Sequence, residues 1–216
     1  MPPSSRSTTG VLDVYGDPAT AAVARPSVAR VGAVVLAAGA DPRHGGPKAL
    51  IELDGQPLVE RAVRTAHEGG CAPVLVVLGA AADRVRHRAD LGSAIWVENQ
   101  DWASGVGSSL RVGLVSLAAT DAVAAMVLLV DMPGVTAAAV RRLARLAAPN
   151  VLAMARYGDR PGHPVLLGRD HWPEVTRLAV GDADVRAYLR RHWTVVRMVP
   201  CGDVADDTDL DVPGGS

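Results

Sequence analysis

The sequence contains no phenylalanine, and aromatic residues make up only 3% of its 216 residues. Its net charge is −1, and no cluster of basic residues alternates with aromatic ones, so a nucleic-acid-binding surface is not expected. Cys71 and Cys201 lie far apart and outside any C-x-x-C motif, which argues against a disulfide or a cysteine metal site. No apolar run reaches the roughly 18 residues that a membrane span needs. The first ten residues lack the apolar core of a signal peptide, so we expect a cytoplasmic protein with no membrane partner.

Hydrophobic residues make up 49% of the chain, enough for one α/β domain with a full core. Residues 1–30 are rich in Pro, Ser, Thr and Ala and show no apolar period, which predicts a flexible extension. Residues 31–216 are predicted to form the domain, because strand-like apolar runs alternate there with amphipathic, helix-like runs. The pattern predicts strands at 31–37, 74–78, 94–97, 126–130, 151–155, 164–167 and 195–199. It predicts helices at 58–67, 81–89, 108–117, 137–146, 173–178 and 183–191. The predicted fold is a single-domain, Rossmann-like three-layer αβα sandwich with a mostly parallel central sheet.

The most informative segment is residues 31–48, V-G-A-V-V-L-A-A-G-A-D-P-R-H-G-G-P-K. Its first seven residues are small or β-branched, as in a strand that is covered on both faces. Such a strand ends at the carboxyl edge of the sheet, where open α/β folds bind ligands. The following loop contains glycines that allow close backbone approach, and Arg43 and Lys48 add positive charge. We interpret it as a site for a nucleoside triphosphate; the alternative is a surface turn with two incidental cations.

Two common phosphate-binding loops do not fit this segment. A P-loop requires Gly-Lys followed by Ser or Thr, but Pro47 separates Gly46 from Lys48, and Ala49 replaces the hydroxyl residue. The dinucleotide fingerprint G-x-G-x-x-G is also absent after the first strand.

The pattern that does match is L-A-A-G-x-x-x-R-x-G-x-x-K, formed by Leu36, Ala37, Ala38, Gly39, Arg43, Gly45 and Lys48. It resembles the nucleotidyltransferases that attach CMP or GMP to molybdopterin, and their wider family that activates sugar phosphates. The resemblance implies that Leu36, Ala37, Ala38, Gly39 and Lys48 bind the nucleotide. Arg43 and Lys48 would be catalytic, stabilising the leaving pyrophosphate.

A second element, V-L-L-V-D-M-P, places Asp131 after the predicted strand at 126–130. A carboxylate at this edge of the sheet suits Mg²⁺ on a triphosphate, although Asp131 could instead open the turn at Pro133. The element resembles the family's G-D-[MQ]-P, with Val130 in place of Gly.

The segment from Asn99 to Gly113 reads N-Q-D-W-A-S-G-V-G-S-S-L-R-V-G, a loop that enters a helix. The first helical turn could offer backbone N–H groups and hydroxyls to a base, ribose or phosphate, or Ser108 could simply cap the helix. The segment resembles an element of the cytidylyltransferase branch, which implies nucleotide contacts from Asn99, Gly105 and Ser109.

Two further segments extend the resemblance. Gly162 and His163, in R-P-G-H-P-V-L-L, resemble a G-H-P segment on the acceptor side of the same branch, although His163 could equally be structural. In the tail D-D-T-D-L-D-V-P, Asp209 and Asp211 resemble the family's D-x-D-T-P, which implies further metal ligands beside Asp131. Val212 replaces the Thr of that motif.

The resemblance implies Mg²⁺-dependent transfer of a nucleotide, preferably CMP because of Ala38, to a small phosphate-bearing acceptor of the pterin type. It also implies a partner that takes the product, such as a molybdoenzyme or its chaperone. Because a fold does not fix a function, an oxidoreductase or nucleotide-binding module that uses NAD(P)H, or a guanylyl or sugar-phosphate transferase, remains an alternative.

Overall fold

The computed structural model describes residues 30–41 and 45–210. The predicted extension therefore lies outside the described residues except for Arg30, and so do Arg43 and Asp211. The guanidinium of Arg30 contacts both carboxylate oxygens of Asp121, at 2.8 and 2.9 Å.

The described residues form strands and helices in alternation. The strands are β1 (Val31–Ala37), β2 (Ala40–Asp41), β3 (Gly46–Pro47), β4 (Glu52–Leu53), β5 (Gln56–Pro57), β6 (Val74–Leu78), β7 (Ile95–Glu98), β8 (Ala124–Leu129), β9 (Leu152–Tyr157), β10 (Arg160–Gly168) and β11 (Arg197–Pro200). The α-helices are α1 (Leu58–Glu68), α2 (Ala82–Arg88), α3 (Val106–Ala118), α4 (Ala137–Ala144), α5 (Trp172–Leu178) and α6 (Val185–Arg191). Short 3₁₀ helices cover Lys48–Leu50, Trp102–Ser104, Arg169–His171 and Trp193–Val195.

Seven of the described strands form one sheet in the order β11-β9-β10-β8-β1-β6-β7. β1 pairs in parallel with both β6 and β8, and β6 with β7 and β9 with β11 are also parallel. Only β10 runs antiparallel to its neighbours in this sheet. The mostly parallel sheet that the sequence predicts is therefore confirmed.

Helices cover the sheet on both faces. One apolar cluster joins alternate strand residues to α1, α2 and α4. The other joins the intervening strand residues to α3, α5 and α6. Every residue of β1 is buried, as expected for a strand at the centre of a sheet with two covered faces. The three-layer αβα architecture is confirmed.

The predicted boundaries differ from the observed ones mainly in the second half of the chain. The prediction at 164–167 covers only the buried centre of β10, whose first residues, Arg160 and Pro161, are exposed and lack an apolar pattern. α3 begins two residues before its predicted start because Gly105 serves as the N-cap. Among the described residues, no helix combines the length and apolarity that crossing a membrane requires.

The parallel registers bring three loops to one edge of the sheet. Leu36 pairs with Leu129 of β8, and Ala37 pairs with Leu78 of β6, so these strands end at the same level. Because β10 is antiparallel, its first residues lie at this edge as well.

Close packing of α3 on β1 depends on Gly113. A Cβ at this position would overlap the Cγ1 methyl of Val34 and lie 3.2 Å from Cγ2 of Val77. We expect Gly113→Ala to lower the free energy of unfolding by about 1–3 kcal/mol through overpacking, even though Ala favours a helix by up to about 1 kcal/mol. Urea denaturation measures this change. Val115→Ala, on the exposed side of the same helix, should change stability by less than about 0.5 kcal/mol, and an equal loss in both variants would contradict this account of Gly113.

Candidate active site

A cavity of about 420 Å³ opens at the carboxyl edge of the sheet, between the ends of β1 and β8 and the start of α3. It brings together most of the predicted site residues that the structure describes. Those that line it are Leu36, Ala38, Gly39, Lys48, Gly105, Ser109, Asp131 and Asp209. The position agrees with the general rule that open α/β sheets bind ligands at the carboxyl ends of their strands.

The loop after β1 folds back as a hairpin and places Lys48 beside Gly39. β2 and β3 pair in antiparallel fashion, and the Lys48 amide donates a 3.0 Å hydrogen bond to the Gly39 carbonyl. A Cβ at Gly39 would lie 3.7 Å from Cδ of Lys48, so the lysine side chain runs across this glycine. The hairpin thus directs the ammonium group into the cavity.

Lys48 and Asp131 form an ion pair across the cavity, although 83 residues separate them in the chain. Lys48 Nζ lies 2.9 Å from Asp131 Oδ2, and each side chain is only 18% exposed. Asp131 follows β8, whose end is held to β1 by the hydrogen bond from the Val130 amide to the Leu36 carbonyl. A partly shielded pair of this kind provides one group for a phosphate and one for a cation.

The C-terminal part of the described chain crosses the same edge. The Leu210 amide donates to the Asp131 carbonyl at 3.1 Å, and the Asp206 amide donates to the Gly134 carbonyl at 3.2 Å. These bonds hold Asp209 at the cavity with Asp131. No group of three acidic, histidine or cysteine side chains suited to a metal occurs among the described residues. Two carboxylates facing one cavity nevertheless fit a hard divalent cation that takes its other oxygen ligands from a triphosphate and water.

The start of α3 uses most of its polar groups internally. The buried Asn99 amide nitrogen donates to Ser108 Oγ at 2.8 Å and to Ser109 Oγ at 2.9 Å. Ser108 Oγ lies 2.8 Å from the Gly105 carbonyl oxygen, so Ser108 donates to a carbonyl and is not the N-cap. The Gly107 amide is occupied as well, because it donates to the Gly181 carbonyl. This segment therefore gives the cavity a fixed wall with few unused donors.

Gly105 is required by this close packing. It has a φ of 118°, and a Cβ there would overlap the backbone of Gly181. The glycine at position 105 is therefore needed for the backbone conformation and for packing against Gly181, in addition to lining the cavity.

Four predicted site residues do not line the cavity. Ala37 points to the opposite face of the sheet, because successive strand residues alternate, and it packs in the cluster with α1 and α4. Asn99 is buried behind Ser108 and Ser109. Gly162 and His163 are buried in β10, on the far side of β8 from β1.

His163 is enclosed by the core. Its Nδ1 lies 3.4 Å from the Val127 carbonyl oxygen, while Nε2 has no hydrogen-bond partner among the described residues. Burial lowers the pKa of the imidazole to about 4, so His163 is neutral at pH 7. Asp184, Arg186 and Asp209, which line the cavity, contribute smaller electrostatic effects to this pKa.

Three residues with aromatic or charged side chains that line the cavity, Trp102, Asp184 and Arg186, were missed as site residues by sequence reasoning. Trp102 and Ala38 both pack against Gly79, where the loops after β1 and β6 meet. Asp184 is the N-cap of α6, accepts a hydrogen bond from the Arg186 amide, and also pairs with the Arg186 side chain. The only local signal for this pair is an Asp two residues before an Arg at a predicted helix start, which is too common to indicate a site.

The lining charges limit what the cavity can bind. Among its described residues are two cations, Lys48 and Arg186, and three carboxylates, Asp131, Asp184 and Asp209. A polyphosphate alone would be repelled by this balance, whereas a polyphosphate that carries a divalent cation would neutralise the carboxylates.

The depressed pKa of His163 predicts a pH dependence of stability. The unfolded chain binds a proton at His163 near pH 6.5, but the native state does so only near pH 4. The unfolded state therefore holds more protons in this range, and the free energy of unfolding should fall as pH falls from about 6.5 to about 4. We expect His163→Gln to reduce this slope in urea denaturation at pH 7 and pH 5. His87→Gln, which alters an exposed histidine of α2, serves as the control, and equal slopes in all three proteins would contradict the assignment.

Comparison with known proteins agrees with this geometry. Residues 33–196 match the family described as the MobA-like NTP transferase domain. Nicotine blue oxidoreductase of Paenarthrobacter nicotinovorans is 39% identical over 186 residues, which cover 82% of this chain and 90% of that protein. A probable molybdenum cofactor guanylyltransferase of Opitutus terrae is 32% identical over 125 residues, which cover 58% of this chain and 59% of that protein.

Among solved structures, Rv0371c of Mycobacterium tuberculosis H37Rv superposes with a TM-score of 0.72 at 28% identity. The match covers 85% of this chain and 94% of that one. A complex of Rv0371c with manganese gives a TM-score of 0.70 at 29% identity, with 83% and 93% of the two chains covered. The motif around Lys48, the fold and the matched residues all lead to one conclusion: the chain belongs to the family of MobA-like NTP transferases.

Proposed function

We propose that this protein, as a nucleotidyltransferase of the MobA-like family, transfers CMP from CTP to the phosphate of a molybdopterin-type acceptor and releases pyrophosphate. An oxygen of the acceptor phosphate attacks the α-phosphorus, and the bond from that phosphorus to the pyrophosphate oxygen breaks. An acceptor phosphate is already anionic near neutral pH, so the step requires no general base. Catalysis is then alignment and charge neutralisation.

The observation that carries this proposal is the pairing of Lys48 with Asp131 at the edge of the sheet. When a nucleoside triphosphate enters, Lys48 can exchange the carboxylate for a phosphate oxygen at little cost, because it keeps a charge-assisted contact. Asp131 and Asp209 would then hold a divalent cation together with the triphosphate. We assign this ion as Mg²⁺, which when bound neutralises charge on the triphosphate and orients its α-phosphate.

Two predicted site residues outside the described ranges, Arg43 and Asp211, would extend the same site. Arg43 would help Lys48 to stabilise the leaving pyrophosphate. Asp211, which follows Asp209 by two residues in the sequence, would be a further metal ligand. The base would lie against Ala38 and Trp102, which both line the cavity and both pack against Gly79. A cytoplasmic location and product transfer to a molybdoenzyme or its chaperone stay predictions.

Asp131→Asn tests the metal site. The amide keeps the size of the side chain and one oxygen but removes the charge, so Mg²⁺-dependent turnover should fall by at least about 100-fold with little change in stability. Release of pyrophosphate from CTP in the presence of candidate acceptors measures this, with Asp170→Asn on the opposite edge of the sheet as the control. If the Asp131→Asn protein turns over at the wild-type rate at the same Mg²⁺ concentration, Asp131 does not bind the metal and serves only in the turn before Pro133.

Ala38→Gly tests the choice of base. Ala38 lines the cavity, and its methyl group packs against Gly79 in the loop after β6, as Trp102 does. The wild type should favour CTP over GTP by at least about 100-fold in kcat/KM, since a site that pairs with one base edge leaves polar groups unpaired with another. The Gly variant should reduce this ratio towards GTP. A wild-type preference for GTP would replace the cytidylyl assignment with the guanylyl one.

A second candidate function is oxidoreduction with NAD(P)H. The observation in its favour is the 39% identity to a protein named nicotine blue oxidoreductase over 90% of that protein's length. In that case the Lys48–Asp131 pair would persist without a metal, and Mg²⁺ would not affect ligand binding. Calorimetric titration with NADPH and with CTP, each with and without Mg²⁺, separates the two functions: tighter, Mg²⁺-independent binding of NADPH would overturn the transferase proposal.

A further inference from the structure

A second cavity, which we call the rear cavity, lies at the edge of the sheet opposite the active-site cavity. Its volume is about 520 Å³, and small-molecule sites span roughly 300–1,000 Å³. It lies between the start of β1, the segment before β6 and the ends of α1 and α4. Its described lining residues are Arg30, Val31, Gly69, Gly70, Ala72, Arg141, Ala144 and Arg145. None of them lines the active-site cavity, so a ligand bound here would be separate from the substrates of the transfer reaction.

The ends of α1 and α4 are packed together at one side of the rear cavity. Gly69, the C-cap of α1, has no room for a side chain, because a Cβ there would overlap the Cγ1 methyl of Val140 on α4. Arg141 Nη1 donates a 2.6 Å hydrogen bond to the Glu68 carbonyl oxygen at the end of α1. These contacts fix the position of the Arg141 side chain relative to both helices.

The described lining residues of the rear cavity include three arginines and no carboxylate. The whole chain has a net charge of −1, so this local excess of positive charge is not a consequence of a basic composition. Arg141 and Arg145 stand four residues apart at the end of α4, where like charges repel each other. The helix dipole favours cations at this end, but it does not account for Arg30, which precedes β1. An anion in the cavity would neutralise all three charges.

Most N–H groups of these guanidiniums have no partner within the described ranges. Both contacts of Arg30 with Asp121 use Nη1, and the contact of Arg141 with Glu68 also uses Nη1. The side chain of Arg145 is exposed and forms no hydrogen bond or ion pair with a described residue. Nη2 and Nε of Arg30 and Arg141, and the whole guanidinium of Arg145, can therefore donate to a ligand.

From these features we infer that the rear cavity binds a small anion that carries a diphosphate group. A guanidinium donates two parallel N–H groups to two oxygens of one phosphate, so three guanidiniums suit two linked phosphates. Gly70 and Ala72, which are exposed at the cavity, add no negative charge that would oppose this ligand. Inorganic pyrophosphate and nucleoside diphosphates share the diphosphate group. The inference goes beyond the proposed function and does not depend on it.

Calorimetric titration of the full chain with sodium pyrophosphate, in buffer depleted of divalent cations, tests the inference. Without a metal ion, the carboxylates of the active-site cavity oppose a polyphosphate there, so binding reports on the rear cavity. The wild type should bind pyrophosphate at least about tenfold more tightly than sulfate, which offers a single tetrahedral anion. Arg145→Ala should weaken pyrophosphate by at least about tenfold, because it removes a charge-assisted contact and breaks no contact within the described protein.

Two variants serve as controls. Arg88→Ala removes another exposed arginine from the last turn of a helix, α2, that does not line the rear cavity. Lys48→Ala removes the lysine of the active-site cavity. Neither should change the affinity for pyrophosphate by more than about twofold, since salt screens charges at a distance. Melting curves identify any variant that fails to fold.

Titration with ADP under the same conditions distinguishes the two sources of the diphosphate group. Tighter binding of ADP than of pyrophosphate, weakened by Arg145→Ala, would assign the rear cavity to a nucleotide. Weaker binding of ADP would assign it to the free ion. Both results support a diphosphate site.

Four results would overturn the inference. Sulfate bound as tightly as pyrophosphate would make the rear cavity a general anion patch, and tricarballylate bound more tightly would make it a carboxylate site. Equal affinity of the wild type and Arg145→Ala for pyrophosphate would remove the arginine from the site. A loss in Lys48→Ala without a loss in Arg145→Ala would place pyrophosphate in the active-site cavity. Mg²⁺-dependent binding of CTP, measured in parallel, should be the same in Arg145→Ala and the wild type, so a failure of the proposed function is recognised separately.

Discussion

The pairing of β1 with β8 is the constraint on which the active site depends. Six residues of each strand are paired in parallel register, from Val31 with Ala124 to Leu36 with Leu129. Both strands are buried, so a slip by one residue would turn apolar side chains out of their clusters. This register fixes the distance between the loop after β1 and the loop after β8. The 2.9 Å contact between Lys48 and Asp131 is a consequence of it.

The remaining walls of the cavity are held by polar groups that bond to one another. Asn99 is saturated by the hydroxyls of Ser108 and Ser109, and the Gly107 amide is saturated by Gly181. Buried polar groups with partners stabilise one arrangement of a loop, since breaking any of them leaves an unsatisfied donor or acceptor. The recognition of a nucleotide is therefore left to the charged side chains and to the shape of the cavity, both of which exist before the ligand binds.

Membership of the MobA-like family establishes the fold of this chain, but relatives with this fold differ in their substrates. One relative is named a molybdenum cofactor guanylyltransferase and another an oxidoreductase. Function on such a scaffold depends on particular side chains. Among the described residues of the cavity, the excess of carboxylates over cations favours a ligand that brings a divalent cation.

Much of the fold could be predicted from the sequence alone, because the periodicity of apolar residues reports burial directly. The predicted runs at 31–37 and 74–78 coincide with β1 and β6, and the other strands of the seven-stranded sheet were predicted within a few residues except at the exposed start of β10. The two-residue strands β2 to β5 were not predicted. The Gly39 loop with Lys48, and Asp131 at the end of β8, were also located, because each follows a buried strand and strand ends determine where a parallel sheet binds ligands.

Other features were decided by tertiary structure. The sequence did not reveal that Asn99 and His163 are buried and do not line the cavity, since a polar side chain in a motif has the same local pattern whether it faces a ligand or the protein interior. It also did not indicate Asp184 and Arg186, whose position depends on the packing of α6 against the sheet. Strand pattern and loop chemistry are local properties that a sequence records, whereas the partner of each polar group depends on contacts between segments far apart in the chain.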